Sequence, residues 1–496
     1  MAQTNYNHLL VSINKKGLKL LIFYPSLRFK EVSMKKLLHI TTISLIIILL
    51  FCVSVSAQKY VFLFIGDGMG QADIDLYEAY LAEKDGKSGF VQSNISKLPL
   101  LSMCSTVCKN RRITDSGAAG SAIACGQKFN AGEISFSESG TKPKSIAKFA
   151  KEKGLKVGII STAPMNHATP ASFYANQQSR KSYYQIGLQL AESQFDFFGG
   201  GGLYHQTGKK KEDKDLMTIY QEAGYLTFSS LKAIAALPQH NSKIIFTNET
   251  LERDASMPYA IDREDSPNSS LAEIVETAIN YLDNPKGFFI MCEGGKIDYA
   301  AHDNDAGALV GEMEDFDNAI AKAYDFYLKH KDETAIIITA DHETGGVSLG
   351  IAENEYESDY GILVKQKMSM YKFSGILKKL SKNDKEFTMK EYTELASKYF
   401  MGIEMNLSGT DVEVLNEAFA AVNAKSNRAK EEAKETYDGY NPMAYAFSNI
   451  MNSKASVGFS TNAHTCAKVP VYSLGITKPI LDNTEFFGAI KEFIEK

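Results

Sequence analysis

The stretch VFLFIGDGMG, residues 61–70, decides the reading of this chain. An apolar run ends at Ile65, and an acid, Asp67, then stands between Gly66 and Gly68, with Gly70 close behind. A continuous apolar run of this length suits a strand buried on both faces. Glycines after it let backbone approach a neighbour closely. An acid at such a strand end is either a helix cap or a ligand-binding group, and Asp67 alone favours neither.

The same pattern recurs along the chain. KYVFLFI, LKVGIIST, QFDFFGG, SKIIFT, GFFIMCEG, TAIIITAD and VPVYSLG read as strands, with amphipathic helical stretches at 145–152, 182–193, 268–283 and 307–329 among them. Buried strands alternating with helices predict an α/β fold, a mainly parallel central sheet with helices on both faces. From about 353 to 457 the chain turns polar and helix-rich, including AKSNRAKEEAKETYDGY, whose charges suit a solvated helix face. This region reads as an insertion before the last strands. The 496 residues, 44% hydrophobic and 23% charged, suit a globular protein with a large core. A net charge of -5 gives no basic surface for nucleic acid or anionic membrane.

Near the N-terminus, MKKLLHITTISLIIILLFCVSVSAQKY begins at Met34 with two lysines and an apolar run, and small residues lead to Ala57. That is the form of a secretory signal peptide over 34–57, cleaved after Ala57, which makes 1–33 an upstream extension outside the true start. The alternative for Leu37 to Val55 is an uncleaved anchor, since its length is near that of a spanning helix. Either way the bulk of the chain, 58–496, is expected to be exported, periplasmic or extracellular, with no membrane span once the signal is removed. Five cysteines follow Ala57, so they cannot all pair within one chain; Cys104 and Cys108 are a candidate pair, but a core of this size needs no disulfide framework, and none is expected.

Asp67 has company at the strand ends. Glu293 ends FFIMCE, Asp341 and His342 follow AIIITA, and STAPMNHATP after VGII brings His167 and Thr169. Ligands of open parallel sheets bind in the crevice beyond the carboxyl ends of the strands. Carboxylates converging there repel one another unless cations intervene. EGGKIDYAAHDND sets Asp298 and His302 at i, i+4 on one helical face, and STNAHTCAK supplies His464. Mixed imidazole and carboxylate donors suit zinc; the oxygen donors Asp67, Thr169 and Glu293 suit magnesium. His205, His240 and His330 are read as structural.

In RRITDSGAAGSAIACG, small residues after Ser116 predict a tightly packed helix with Ser116 at its start. A serine there is ordinarily an N-cap. It also lies where anions bind, which makes it a candidate nucleophile.

The blocks GDGMG, TDSGAAGSA, STAPMNHATPASFYAN, FDFFGGGG, EGGKIDYAAHDND, TADHETGG and STNAHT, in this order, resemble the alkaline phosphatase family of metal-dependent phosphomonoesterases. The resemblance runs from about residue 60 to 475, and the 353–457 stretch corresponds to the family's variable insertion. It implies an alkaline-phosphatase-like fold and hydrolysis of small-molecule phosphate monoesters through a phosphoserine intermediate at Ser116, with two zinc ions and one magnesium. Asp298, His302 and His464 would hold the first zinc, and Asp67, Asp341, His342 and the Ser116 oxygen the second. Asp67, Thr169 and Glu293 would hold magnesium. Arg180, in NQQSRKSYY, falls where the family has its phosphate-clamping arginine, whose planar fork suits two phosphate oxygens; Lys181 beside it reads as a surface charge. The family usually forms a homodimer. This chain has His167 where some bacterial members carry Asp, and Tyr299 where relatives often place Lys or His; both would stand just behind the ligands. The rivals are a phosphodiesterase or sulfatase of the same superfamily and an inert metal- or phosphate-binding protein. No sulfatase motif is present, and no family position is vacant.

Overall fold

The computed structural model describes residues 9–14, 17–22 and 59–496, apart from 138–140, 211, 239–240, 264–266 and 382–386. The signal peptide read over 34–57 and His240 lie outside the described residues. Residues 1–57 form a unit separate from 58–496; within it Leu9–Asn14 and Gly17–Ile22 pair as an antiparallel hairpin. Among the described residues, no helix is long and apolar enough to cross a membrane.

Residues 58–496 are built on a nine-stranded sheet. Its strands in chain order are β1 (Tyr60–Gly66), β2 (Leu100–Cys104), β3 (Lys156–Ser161), β4 (Phe197–Gly200), β5 (Tyr225–Phe228), β6 (Lys243–Thr247), β7 (Phe288–Gly294), β8 (Thr334–Thr339) and β9 (Val469–Leu474). The spatial order is β2-β9-β8-β1-β7-β3-β4-β6-β5. From β8 to β5 every neighbouring pair is parallel, while β9 runs antiparallel to β8 and to β2. The sheet is thus mainly parallel, as the apolar runs predict. The two strands the sequence did not reveal, β2 and β5, are edge strands only partly buried, so they lack the continuous apolar signature of the centre.

Every residue of β1, β7 and β8 is buried, because helices cover both faces. One group of helices includes α1 (Gln71–Lys84), with α3 (Leu271–Leu282) and α5 (Ala306–Lys329) packed on each other and on the central strands. The other includes α2 (Ser116–Cys125), which packs against the short helices Ile146–Glu152 and Ala168–Ala171 and against Glu485–Glu495. A short helix, α4 (Gly295–His302), follows directly from β7.

The region read as an insertion leaves and returns through one antiparallel ladder, Val347–Leu349 against Val457–Phe459. Between them α6 (Met370–Ser381), α7 (Gly409–Val422), α8 (Pro442–Ala455) and shorter helices close on a separate apolar cluster that includes Phe373, Leu377, Phe400 and Phe447. The charged run forms the helix Asn427–Thr436, none of it buried, as a solvated face should be. The candidate pair Cys104 and Cys108 is not formed. All five described cysteines are free, and the Cys104 and Cys108 thiols turn to different partners, the carbonyls of Ser105 and Arg111.

Candidate active site

The four adjacent central strands β8, β1, β7 and β3 carry the acids and the threonine to one edge of the sheet. Asp67 leaves β1 fully buried, in a turn closed by Met69 N–H donating to the Gly66 carbonyl at 3.1 Å. Gly68 has φ +76, and a Cβ there would lie 2.9 Å from Thr344 Oγ1 and 3.0 Å from Asp298. Gly68 therefore serves the close passage of backbone against α4 and the loop after β8, while Gly66 makes room for the Met69 side chain in the same turn. Glu293 ends β7 beside Ser161, whose hydroxyl donates to Glu293 Oε2. Thr169 lies on the short helix after β3, fully buried.

These groups are left short of donors. Both oxygens of Asp67, Glu293 Oε1, Asp341 Oδ2 and Thr169 Oγ1 are buried without a hydrogen-bond partner. Buried polar groups are rarely orphaned, and buried carboxylates in mutual contact more rarely still. Burial first, then the Asp341 charge, raises the Asp67 carboxyl well above its ordinary range. Burial likewise lifts Glu293 to about 7, and burial with the Asp298 charge lifts Asp341 to about 8.

The histidines complete the pattern through their tautomers. The single proton of Thr344 Oγ1 goes to Asp298 Oδ1 at 2.7 Å, so its contact with His342 Nδ1 at 3.1 Å must be accepted from Nδ1–H. His342 Nε2 is then a lone pair, yet it stands 3.4 Å from Asp67 Oδ1, 3.3 Å from Asp341 Oδ2 and 3.2 Å from Ser116 Oγ. His302 Nδ1 faces the Asn462 carbonyl at 2.7 Å and His464 Nδ1 the Thr114 carbonyl at 2.9 Å. Each of these Nδ1 atoms is a donor, and the Nε2 atoms meet 3.2 Å apart, with Asp298 Oδ1 3.3 Å from His302 and 3.8 Å from His464. Lone pairs converging on carboxylate oxygens repel until a cation lies between them, and carbonyl-anchored Nδ1–H groups are the usual support of metal-binding imidazoles. The residues present fit divalent cations. Without a cation, burial opposes charge on His302, but Asp298 more than offsets it and pushes His302 up to about 9.

Three combinations bring ligand atoms within 4.8 Å of one another: Asp298, His342 and His464; Asp67, Asp341 and His342; and Asp67, His167 and Glu293. His302 stands with the first through the contacts just given. His464 arrives there because His464–Thr465 pairs antiparallel with Glu343–Thr344.

Ser116 is the first residue of α2, not its cap. Asp115 is the cap, accepting from the Gly117 and Ala118 amides. This corrects the capping role read for Ser116 and leaves its hydroxyl free to face His342. Arg180 Nη1 pairs with Asp115 Oδ2 at 2.8 Å, and Nη2 contacts His167 Nε2 at 3.2 Å. Burial works against the Asp115 charge, but Arg180 and the amides outweigh it and hold the carboxyl below its ordinary value. Tyr299 meets His167 edge-to-face, with ring centroids 6.1 Å apart. Lys181 is exposed; His205 packs tilted against Tyr204 at the surface, and His330 stacks on Phe326. Sequence reading missed Asp115 and Thr344. Their signals were present in TDSG and DHETGG, where each stands within two residues of a candidate ligand or nucleophile.

Residues 58–494 match the family model of alkaline phosphatase. Alkaline phosphatase 3 of Bacillus subtilis (strain 168) is 31% identical over 442 residues, covering 86% of this chain and 87% of that protein. The cold-active alkaline phosphatase of the psychrophile Shewanella sp. superposes with a TM-score of 0.71 at 25% identity, over 88% of this chain and all (100%) of that one. The alkaline phosphatase of the Antarctic bacterium TAB5 gives a TM-score of 0.59 at 25% identity over 88% of this chain and 98% of that one, and a variant of it was solved with Mg bound in the M3 site. The match over nearly all of the chain beyond residue 57 places it: this protein belongs to the alkaline phosphatase family.

Proposed function

We propose that the enzyme hydrolyses phosphate monoesters by transferring the phosphoryl group to Ser116 and then to water, at a site for two zinc ions and one magnesium. The observation that carries this reading is the His342 Nε2 atom set between the Ser116 hydroxyl and the unpartnered oxygens of Asp67 and Asp341, with the His302 and His464 Nε2 atoms meeting on Asp298. Asp298, His302 and His464 would hold one zinc, and Asp67, Asp341 and His342, with Ser116, the other. Asp67, Thr169 and Glu293 offer the oxygen-rich set that suits magnesium, with His167 near enough to join it. Bound there, divalent ions supply Lewis-acid polarisation of phosphoryl and serine oxygens.

The remaining work falls to the chain itself. Ser116 Oγ forms a bond to phosphorus as the ester oxygen departs, and water then displaces the serine in a second in-line step. The amino end of α2 directs its dipole at the same point. Arg180, its Nη1 pinned by Asp115, is oriented before substrate arrives, so little rotamer freedom is lost in clamping phosphate. Burial of the site excludes bulk water and strengthens each of these interactions.

The proposal extends to a homodimer, tested by molar mass in solution, and to export through the 34–57 segment, tested by N-terminal sequencing of the secreted product. The reaction is tested with p-nitrophenyl phosphate, with zinc and magnesium or with chelator, beside bis-p-nitrophenyl phosphate. Chelator-sensitive turnover of the monoester well above the diester is expected; diester preference would indicate a phosphodiesterase instead.

A further inference from the structure

The turn that follows His302 is fastened largely from the insertion. Asp303 closes α4, and its carboxylate, 2% exposed, receives the Tyr440 hydroxyl at 2.7 Å, the Tyr259 hydroxyl at 2.8 Å and Arg253 Nη1 at 3.0 Å. Arg253 Nη1 also donates to the Tyr440 oxygen at 2.9 Å, and its guanidinium lies over the Tyr299 ring, 5.4 Å from the centroid. Asn304 turns the chain at φ +50, and its carbonyl accepts from Asn452 Nδ2 at 2.7 Å. Asp305, the cap of α5, accepts from Gln366 Nε2 at 2.7 Å and the Met370 amide at 2.6 Å. The Ala306 amide donates to Asn452 Oδ1 at 3.3 Å. Tyr440, Asn452, Gln366 and Met370 all lie between the two strands through which the insertion leaves and returns.

We propose that the insertion is a clamp on the His302 turn and that Tyr440 is its positioning residue, a role that rests on the reading of His302 as a metal ligand. Asp298 and His302 sit one helical turn apart on α4, and Asp303 is the next residue. Buried as it is, the Asp303 carboxylate holds its place only while its donors hold theirs. Among the described residues, Tyr440 gives the one insertion hydroxyl that donates to it, and it also accepts from Arg253. Without that hydroxyl the last turn of α4 is free to shift, and the geometry between His302 and Asp298 opens. Groups that orient metal-bound imidazoles typically change metal affinity 10–100-fold when removed.

The test uses the full zinc-loaded enzyme and follows zinc transfer to the chromophoric chelator 4-(2-pyridylazo)resorcinol, with thermal midpoints measured on the same samples. Tyr440→Phe is expected to release zinc about tenfold faster, with kcat lowered, KM for p-nitrophenyl phosphate little changed and the midpoint within a few degrees of the parent. Leu377→Ala, in the apolar cluster of the insertion, loosens the insertion without touching the turn. Should it release zinc as fast as Tyr440→Phe, the effect is general loosening and the positioning role falls. His302→Ala separates the two layers of the argument. If it loses zinc while Tyr440→Phe releases zinc at the parent rate, the clamp is wrong and the metal reading stands. If His302→Ala keeps its full zinc content at the parent release rate, the metal reading fails and the clamp with it.

Discussion

Arg180 Nη1 lies 2.8 Å from Asp115 Oδ2, and Asp115 is the same residue that caps the helix beginning at Ser116. One carboxylate thus fixes both the candidate nucleophile and the candidate phosphate clamp. Asp115→Asn keeps a capping side chain and removes the charge that holds Arg180. The expected result is a roughly three- to tenfold weaker inhibition by inorganic phosphate, from loss of a charge-assisted hydrogen bond, with a lower thermal midpoint, because both Asp115 oxygens accept from N–H groups and the new amide nitrogen must face one of these pairs. Arg180→Ala should weaken phosphate further. Equal inhibition constants in the parent and both variants would remove Arg180 from the site.

Ser116→Ala should lower kcat on p-nitrophenyl phosphate by about 10³-fold or more, because the nucleophile is lost while the surrounding charge remains. Acid-quenched enzyme labelled with ³²P-phosphate should carry label on serine in the parent and none in the variant. A variant that turns over near the parent rate excludes the covalent route.

Gly68→Ala tests why an acid stands between glycines. The new Cβ would meet Thr344 Oγ1 at 2.9 Å in a backbone at φ +76. Strain of this kind costs about 1–3 kcal/mol before any clash is counted, and the group displaced is the one that sets the His342 tautomer. Loss of at least that much stability, read by urea denaturation, should come with loss of activity; a stable and active variant contradicts the packing argument.

The metal-free enzyme should lose stability as pH rises towards 8, chiefly above about 6.5, because below it the His167, His342 and His464 imidazoles, lowered by burial, take up protons on unfolding and offset the carboxyls. The Asp67, Glu293 and Asp341 carboxyls are raised by burial, Glu293 to about 7 and Asp341 to about 8, so the folded state keeps protons that an unfolded chain has released. His302, raised to about 9, stabilises the fold below its unfolded value and loses that contribution over the upper part of the same range and beyond. Divalent ions neutralise these charges, so the gap in thermal midpoint between loaded and chelator-treated enzyme should widen by several degrees from pH 5 to pH 8. A gap that stays constant over this range refutes the charge argument.

By itself the sequence determined the class of fold and the inventory of the site. Continuous apolar runs such as 61–65 and 335–338 mark strands buried on both faces because burial is a property of each residue in the run. The i, i+4 spacing of Asp298 and His302 places them on one helix face because helical geometry is local. What the tertiary structure alone decided is which distant pieces meet. That β8, β1, β7 and β3 are neighbours, that His464 reaches Asp298 through its pairing with Thr344, and that Asp115 holds Arg180 are contacts between segments tens to hundreds of residues apart. Ser116 shows the limit in a single residue. Its place at a helix start was legible, but that Asp115 takes the cap and frees the hydroxyl depended on Arg180 and on the glycine backbone at Gly132, which donates to the same carboxylate at 2.8 Å. The clamp on Asp303 is of the same kind, since Tyr440 lies 137 residues away. Periodicity fixes the face a side chain takes within its element, while its partner is chosen by the packing of the whole core, which no local window of sequence contains.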